Sequence, residues 1–292
     1  MGDRGGMATR RGVLGGACVL LASARGAQGD GGDAIAAIER RRGGRLGVFA
    51  VDAGTGAVLA HRADERFMLC STFKGVLAGL VLWRVDAGRD ALDERVAYGR
   101  GDLLPASPVT EAHVAEGAMS VGALCAAILA VSDNAAANLL LARVGGPAAL
   151  TAFARRLGDG VTRFDRYELA AGERSGVLDT TTPRAIAGLA RSLVLGDVLA
   201  EASRARLEAW MAACTVGGTR LRAAFPAGWG VRDRTGTADG RCNDYAVVRR
   251  PGRAPLVVAA YHDAPGMELE AQEAVLREAG AAVVAWAEGD RR

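Results

Sequence analysis

Strand-like segments occur only near the two ends of this 292-residue chain, and that distribution limits the fold more than any other feature. Arg45–Val51 and Ala57–Arg62 are apolar runs separated by Asp52-Ala53-Gly54-Thr55-Gly56, a hairpin signal. β-type runs return only at Trp229–Thr235, Asp244–Arg249 and Pro255–His262, divided by turns that carry Gly or Pro. From Ser71 to about Leu207 the apolar spacing is helical, with no convincing strand. A short helix at 31–42 and an amphipathic one from about Leu269 to Trp286 flank the strand regions. The implied class is α/β in the α+β sense: an antiparallel sheet built from both termini, flanked by helices, with an all-α subdomain inserted. The α/β lobe would comprise residues 28–66 and 215–292 and the all-α lobe residues 67–214. A cleft between two such lobes suits a small-molecule ligand.

The first 27 residues stand apart from this pattern. Arg10 and Arg11 precede an apolar run, Gly12 to Leu21, which ends in Ala22-Ser23-Ala24. That order is a signal peptide, cleaved near Ala24 or Ala27. Thr9-Arg10-Arg11-Gly12-Val13-Leu14 also resembles a twin-arginine signal, so both export routes stay open. The run is too short to serve as a membrane anchor. The mature protein, 28–292, is expected to be periplasmic or secreted.

With half of its residues apolar and a quarter charged, the composition is that of a globular protein. A net charge of +3, with both signs well mixed, gives no electrostatic reason to expect nucleic acid or an anionic membrane. Three scattered histidines (His61, His113, His262) show no zinc spacing, so no metal is expected. The basic residues are lopsided: 35 arginines against a single lysine, Lys74. Arginine stays charged in a protein, whereas a lysine can be made neutral. The surviving lysine is therefore a candidate for chemistry that needs a free amine, with compositional drift as the bland alternative.

Lys74 sits in Cys70-Ser71-Thr72-Phe73-Lys74-Gly75, where the helical part begins. In Ser-x-x-Lys at a helix start the two side chains lie one turn apart on one face, and the helix N-terminus favours charge developing on the serine. A desolvated neutral lysine beside a serine activates the hydroxyl. Ser132-Asp133-Asn134 offers a hydroxyl to pass a proton and an amide to bind one, although all three residue types also suit a helix N-cap. Arg234-Thr235-Gly236-Thr237 lies on a predicted strand and offers a cation, two hydroxyls and a close backbone approach to an anionic ligand, or simply a strand ending in a turn.

Taken together and in this order, the three motifs resemble the set of class A β-lactamases and penicillin-binding proteins. The similarity to class A β-lactamases extends to Glu65-Arg66-Phe67, Ser107-Pro108-Val109-Thr110, Ser132 through Leu140, Thr162 through Glu168, Asp179 through Pro183 and Asn243 through Val248. It covers essentially the whole mature chain and implies the β-lactamase/D,D-peptidase fold, β-lactams as small-molecule substrates, no cofactor and a monomer. It also implies roles. Ser71 would be the nucleophile, Lys74 its proton-transfer partner, and Ser132 the proton donor to the lactam nitrogen. The backbone N–H groups of Ser71 and Thr237 would form the oxyanion hole. Asn134 would bind the acylamide, and Arg234, Thr235, Gly236 and Thr237, with Arg220, would bind the substrate carboxylate. Glu168 would activate the deacylating water from an Ω-loop of about 163–180, closed by an Arg166–Asp179 pair; whether it or Lys74 drives acylation stays open.

The chain departs from the family at several positions. Arg234 replaces the usual lysine but keeps the positive charge. The family's Glu-x-x-Leu-Asn becomes Glu168-Leu169-Ala170-Ala171-Gly172, and the stretch to Asp179 is about two residues shorter. The chain's three asparagines, Asn134, Asn138 and Asn243, all lie outside that loop. Losing one contact to the hydrolytic water costs on the order of tenfold to a thousandfold in rate, so slowed deacylation is expected. Ala106 stands where an aromatic usually borders the mouth, which implies a wider entrance. Cys125 matches half of the family's common disulfide, with Ala78 at the partner position. Cys70 precedes the nucleophile as in carbapenem-hydrolysing members, and Cys242 is the partner this resemblance suggests.

The leading reading is thus a serine β-lactamase. The alternatives are a D,D-peptidase, which lacks the Ω-loop glutamate, and a β-lactam-binding sensor that acylates and stalls.

Overall fold

A computed structural model describes residues 29–289; the expected export segment lies outside them. After helix α1 (Gly29–Arg42) come strands β1 (Arg45–Asp52) and β2 (Val58–His61). The central stretch holds β3 (Phe67–Met68), α2 (Phe73–Asp86), β4 (Arg95–Ala97), α3 (Pro108–Ala112), β5 (Ala118–Ser120), α4 (Val121–Ala130), α5 (Asn134–Val144), α6 (Gly146–Arg156), β6 (Thr180–Thr181), α7 (Pro183–Val194) and α8 (Glu201–Ala212). The chain then returns to the sheet through β7 (Gly230–Ala238), β8 (Arg241–Arg250) and β9 (Arg253–Asp263), and α9 (Leu269–Gly289) follows.

The five long strands form one antiparallel sheet in the order β2-β1-β9-β8-β7, so both ends of the chain meet where β1 pairs with β9. Side-chain alternation divides this sheet between two cores. Leu46, Val48, Ala50, Val258 and Ala260 face α1 and α9, while Phe49, Val51, Val257, Ala259 and Tyr261 face the helical lobe. Burial on both faces explains why these strands read as continuous apolar runs.

Two expectations need correction. The helical lobe contains the strands β3, β4, β5 and β6, each of two or three residues, too short for any alternation to show in sequence. The closing strands also run longer than read, because β7 and β8 are joined by the two-residue turn Asp239-Gly240, with Gly240 at φ +65°. Asp-Gly is a favoured hairpin turn, so this signal was present in the sequence.

The suggested Cys70–Cys242 bridge is not formed; Cys70, Cys125, Cys214 and Cys242 are all buried free thiols. Strand alternation is the reason. Asn243 turns its amide onto the Met68 and Leu69 carbonyls, next to Cys70, which sends the neighbouring Cys242 to the opposite face among the α1 and α9 residues. Burial pushes both thiols up to about 12. Thiol titration of the denatured, non-reduced mature protein is expected to find all four; a count of two would restore a bridge.

Candidate active site

The turn that carries Ser71 is a short 3-10 segment, Cys70–Thr72, leading directly into α2. It is pressed against β7, the edge strand of the sheet. A Cβ on Gly236 would lie 2.8 Å from the Leu69 carbonyl oxygen and 3.1 Å from the Ser71 nitrogen, so only glycine permits this approach. Gly75 plays the same part on the other side, where a Cβ would fall 1.8 Å from the Tyr245 hydroxyl. Among the described residues Arg62, Cys70, Ala106, Ser132 and Asp179 hold positive φ without being glycine; Cys70 adjoins Ser71, Ser132 and Ala106 adjoin Lys74 and Asn134, and Asp179 closes the Ω-loop. Such backbone strain concentrates at functional sites.

Lys74 lies in the first turn of α2 with no exposed surface. Its Nζ is 3.1 Å from Ser71 Oγ, 3.2 Å from Ser132 Oγ, 2.9 Å from the Ser132 carbonyl, 2.6 Å from Asn134 Oδ1 and 3.2 Å from Glu168 Oε1. Burial lowers its pKa to about 8, helped by the nearby Arg234 charge and opposed by Glu168. The amine is thus poised between its charged and neutral forms near physiological pH.

Ser132 and Asn134 meet Lys74 because Asp133 serves as the N-cap of α5. Its carboxylate accepts from the Ala136 backbone N–H at 2.9 Å, and from the Val109 and Thr110 N–H groups and the Thr110 hydroxyl, each at 2.9 Å. The capping and functional readings of this motif therefore both hold, on adjacent residues. Asn134 spends both ends of its amide, Oδ1 on Lys74 and Nδ2 on the Pro105 carbonyl at 2.9 Å.

Glu168 arrives from 97 residues away, with Ser71 Oγ 3.4 Å from its Oε1. Asn138, one helical turn beyond Asn134, grips its backbone from both sides: Nδ2 donates to the Glu168 carbonyl at 2.8 Å and Oδ1 accepts from its N–H at 2.9 Å. The sequence reading assigned Asn138 no role, although its i,i+4 relation to Asn134 placed it on the same helix face. Below it Arg166 Nε pairs with Asp179 Oδ2 at 2.6 Å, while Asp179 Oδ1 accepts from the Asp165 and Arg166 N–H groups. Gly172 closes a 3-10 turn, and a Cβ there would touch nothing within 4 Å.

The far wall is β7. Arg234 is fully buried; its Nη2 donates to Ser132 Oγ at 2.5 Å and its Nε to the Ser71 carbonyl at 3.1 Å. Among the described residues no carboxylate forms a direct ion pair with it; burial pulls its pKa down, although Asp233 and Asp244 lie near enough to favour its charge. Arg220 is only 2% exposed and reaches the mouth through another residue: Nη2 donates to Thr237 Oγ1 at 2.7 Å, while Nη1 and Nε are held by the Gly236 and Asn243 carbonyls and Glu273. That leaves the exposed Thr237 hydroxyl with its own proton to donate. Thr235 lies buried beside it, and Ala106 is exposed at the opposite rim. Every residue expected at the site is brought to this cleft or its Ω-loop, except Cys242.

Residues 32–287 match the β-lactamase enzyme family. The chain is 46% identical over 249 residues to the carbapenem-hydrolysing β-lactamase KPC of Klebsiella oxytoca, covering 84% of this chain and 85% of that one. It is 47% identical over 253 residues to β-lactamase FAR-1 of Nocardia farcinica, covering 86% and 80%. Among solved structures, a β-lactamase from Burkholderia vietnamiensis superposes with a TM-score of 0.88 at 61% identity, covering 88% of this chain and 96% of that one. An ancestral class A β-lactamase superposes at 0.85 with 50% identity, covering 87% and 99%. Motifs, fold and relatives agree, and the chain belongs to the class A β-lactamase family.

Proposed function

We propose that this enzyme hydrolyses the β-lactam ring of penicillins and cephalosporins through an acyl-enzyme on Ser71, so conferring resistance to them. The observation that carries the reading is the meeting of Ser71, Ser132 and Glu168 around Lys74 Nζ, at 3.1, 3.2 and 3.2 Å, with Ser71 Oγ 3.4 Å from Glu168 Oε1. Neutral Lys74 takes the Ser71 proton as Oγ attacks the lactam carbonyl, and the backbone N–H groups of Ser71 and Thr237 hold the oxyanion. As the C–N bond breaks, Ser132 Oγ gives its proton to the lactam nitrogen and recovers one from Lys74. Glu168 then takes a proton from water as its oxygen attacks the ester carbonyl, and returns that proton to Ser71 Oγ as the ester C–O bond breaks. Asn134 binds the substrate's acylamide. Thr235 and Thr237 hold the substrate carboxylate in the field of Arg234 and Arg220, and Arg166 and Asp179 keep the Ω-loop closed.

Residues 1–27 support export, and among the described residues no single helix is long and apolar enough to cross a membrane. The mature enzyme is proposed to act as a periplasmic or secreted monomer.

The open space at Gly172 favours one second reading, a protein that acylates and then stalls. Turnover of a chromogenic cephalosporin and a simple penicillin separates the two. Sustained multiple turnover supports hydrolysis, and one stoichiometric burst followed by silence supports stalling. Since Gly172 has room for a side chain, Gly172→Asn is expected to raise the deacylation rate constant by about tenfold or more. An unchanged constant would remove Gly172 as the cause of slow deacylation.

A further inference from the structure

The outer limb of the Ω-loop, residues 173–178, has few attachments. It bonds to Arg166, Ala170 and Thr180 of the loop, and within itself through Leu178 N–H to the Ser175 carbonyl. Beneath the loop lies a small cavity of about 10 Å³, room for about one water, lined by Leu69, Cys70, Phe73, Phe164 and Ala171. None of residues 173–178 lines it, so the outer limb takes no part in the packing around that cavity. Among the described residues, the one hydrogen bond or ion pair from this limb to a residue outside the loop joins Arg174 Nη2 to Asp263 Oδ2.

Asp263 is built to receive it. It ends β9 on the sheet face turned toward the helical lobe, with Arg45 of β1 and Arg241 of β8 as its two cross-strand partners. Arg45 Nη2 stands 3.3 Å from Oδ2 and Arg241 Nε 3.7 Å from Oδ1. The carboxylate side chain is 11% exposed, so three guanidiniums converge on one partly desolvated anion. Burial alone would raise its pKa, but the arginines, Arg174 first, hold it below the usual range. Arg45 also donates to the Arg66 carbonyl, and Arg66 donates to Thr180 Oγ1 at the loop's far end. The sheet thus offers a charged anchor at the point where the shortened loop crosses it.

We propose that the Arg174–Asp263 pair is a latch that fixes the outer limb of the Ω-loop and, through the turn Ala170–Gly172, positions Glu168 for deacylation. Both are positioning residues, and the proposal rests on Glu168 being the deacylating base. Only five residues lie between Glu168 and Arg174, so movement of the limb is passed directly to the segment that carries the carboxylate. Acylation relies on Ser71 and Lys74 in α2 and its preceding turn, outside the loop, and is insulated from the latch.

The test compares Arg174→Ala, Arg174→Lys and Arg174→Ala/Asp263→Asn with the parent enzyme. Acylation and deacylation are measured separately in single turnovers of a chromogenic cephalosporin, and hydrogen exchange is followed at residues 169–178. Arg174→Ala is expected to slow deacylation about three- to tenfold, to leave acylation within about twofold, and to speed exchange in the loop. Arg174→Lys is expected to recover most of the loss. Adding Asp263→Asn to Arg174→Ala is expected to cost little further deacylation. Unchanged deacylation and exchange in Arg174→Ala would overturn the latch, as would an equal fall in both steps with a lowered Tm. Glu168→Gln runs in parallel: if it leaves deacylation intact, the reading of Glu168 fails, and the exchange data still judge the latch.

Discussion

Glu168→Gln is expected to leave the protein acylated on Ser71 after a single burst. The carboxylate is 3.4 Å from Ser71 Oγ and 3.2 Å from Lys74 Nζ, and Asn138 clamps its backbone, so the amide would occupy the same place without the ability to accept a proton. Removing a general base typically costs about 10²–10⁴-fold, and here the loss should fall on deacylation. Lys74 remains to take the Ser71 proton, so the burst should persist with an amplitude near one equivalent. Intact-mass measurement would show the enzyme plus one substrate. Undiminished turnover in this variant would exclude Glu168 as the deacylating base, while loss of the burst would show that acylation also runs through Glu168.

Replacing Lys74 is the second large effect, and it should fall on the opposite half-reaction. Lys74→Arg keeps a cation but cannot supply a neutral nitrogen. Acylation is expected to drop by about 10²–10⁴-fold, with no acyl-enzyme building up. The pH profile carries the same information in the unmodified enzyme. With a pKa of about 8, roughly a tenth of the enzyme holds a neutral amine at pH 7 and roughly nine-tenths at pH 9. For a poor, acylation-limited substrate, kcat/KM should therefore rise with pH through about 8, by about tenfold across that window. A flat profile from pH 7 to 9 would show that the neutral amine is not required, and the base for acylation would then be sought at Glu168.

The Arg174–Asp263 latch separates these two half-reactions in another way, because it is remote from every reacting atom. Its expected effect is smaller than either substitution above, as befits a partly exposed ion pair. Its direction, on deacylation alone, is what distinguishes it from general loss of stability.

Much of this protein was legible in its sequence. The hairpin Arg45–Arg62, the helical middle and the returning strands define a sheet made from both termini, since apolar periodicity is a local property that survives without tertiary context. Ser71 and Lys74 were legible for the same reason: one helical turn joins them, and their separation is set by covalent geometry. Solitary Lys74 stood out by residue type alone. The Asp239-Gly240 turn was legible too, and reading it would have given β7 and β8 their full lengths.

Only the tertiary structure decided the rest, because it depends on which distant segments come together and which face they present. Asn138 became a clamp when the Ω-loop folded back over α5, and Asp133 became the anchor that frees Ser132 when α3 packed beside α5. Arg220 reached the mouth only through Thr237 because its Nη1 was taken by the backbone of β7 and β8 and its Nε by Glu273 of α9. Cys242 lost its suggested partner by one step of strand alternation, which placed the sheet itself between the two sulfurs. Arg174 and Asp263, 89 residues apart, carried no joint signal at all. Local pattern determines which elements form and which side chains can react, whereas packing and register determine what each of those side chains meets.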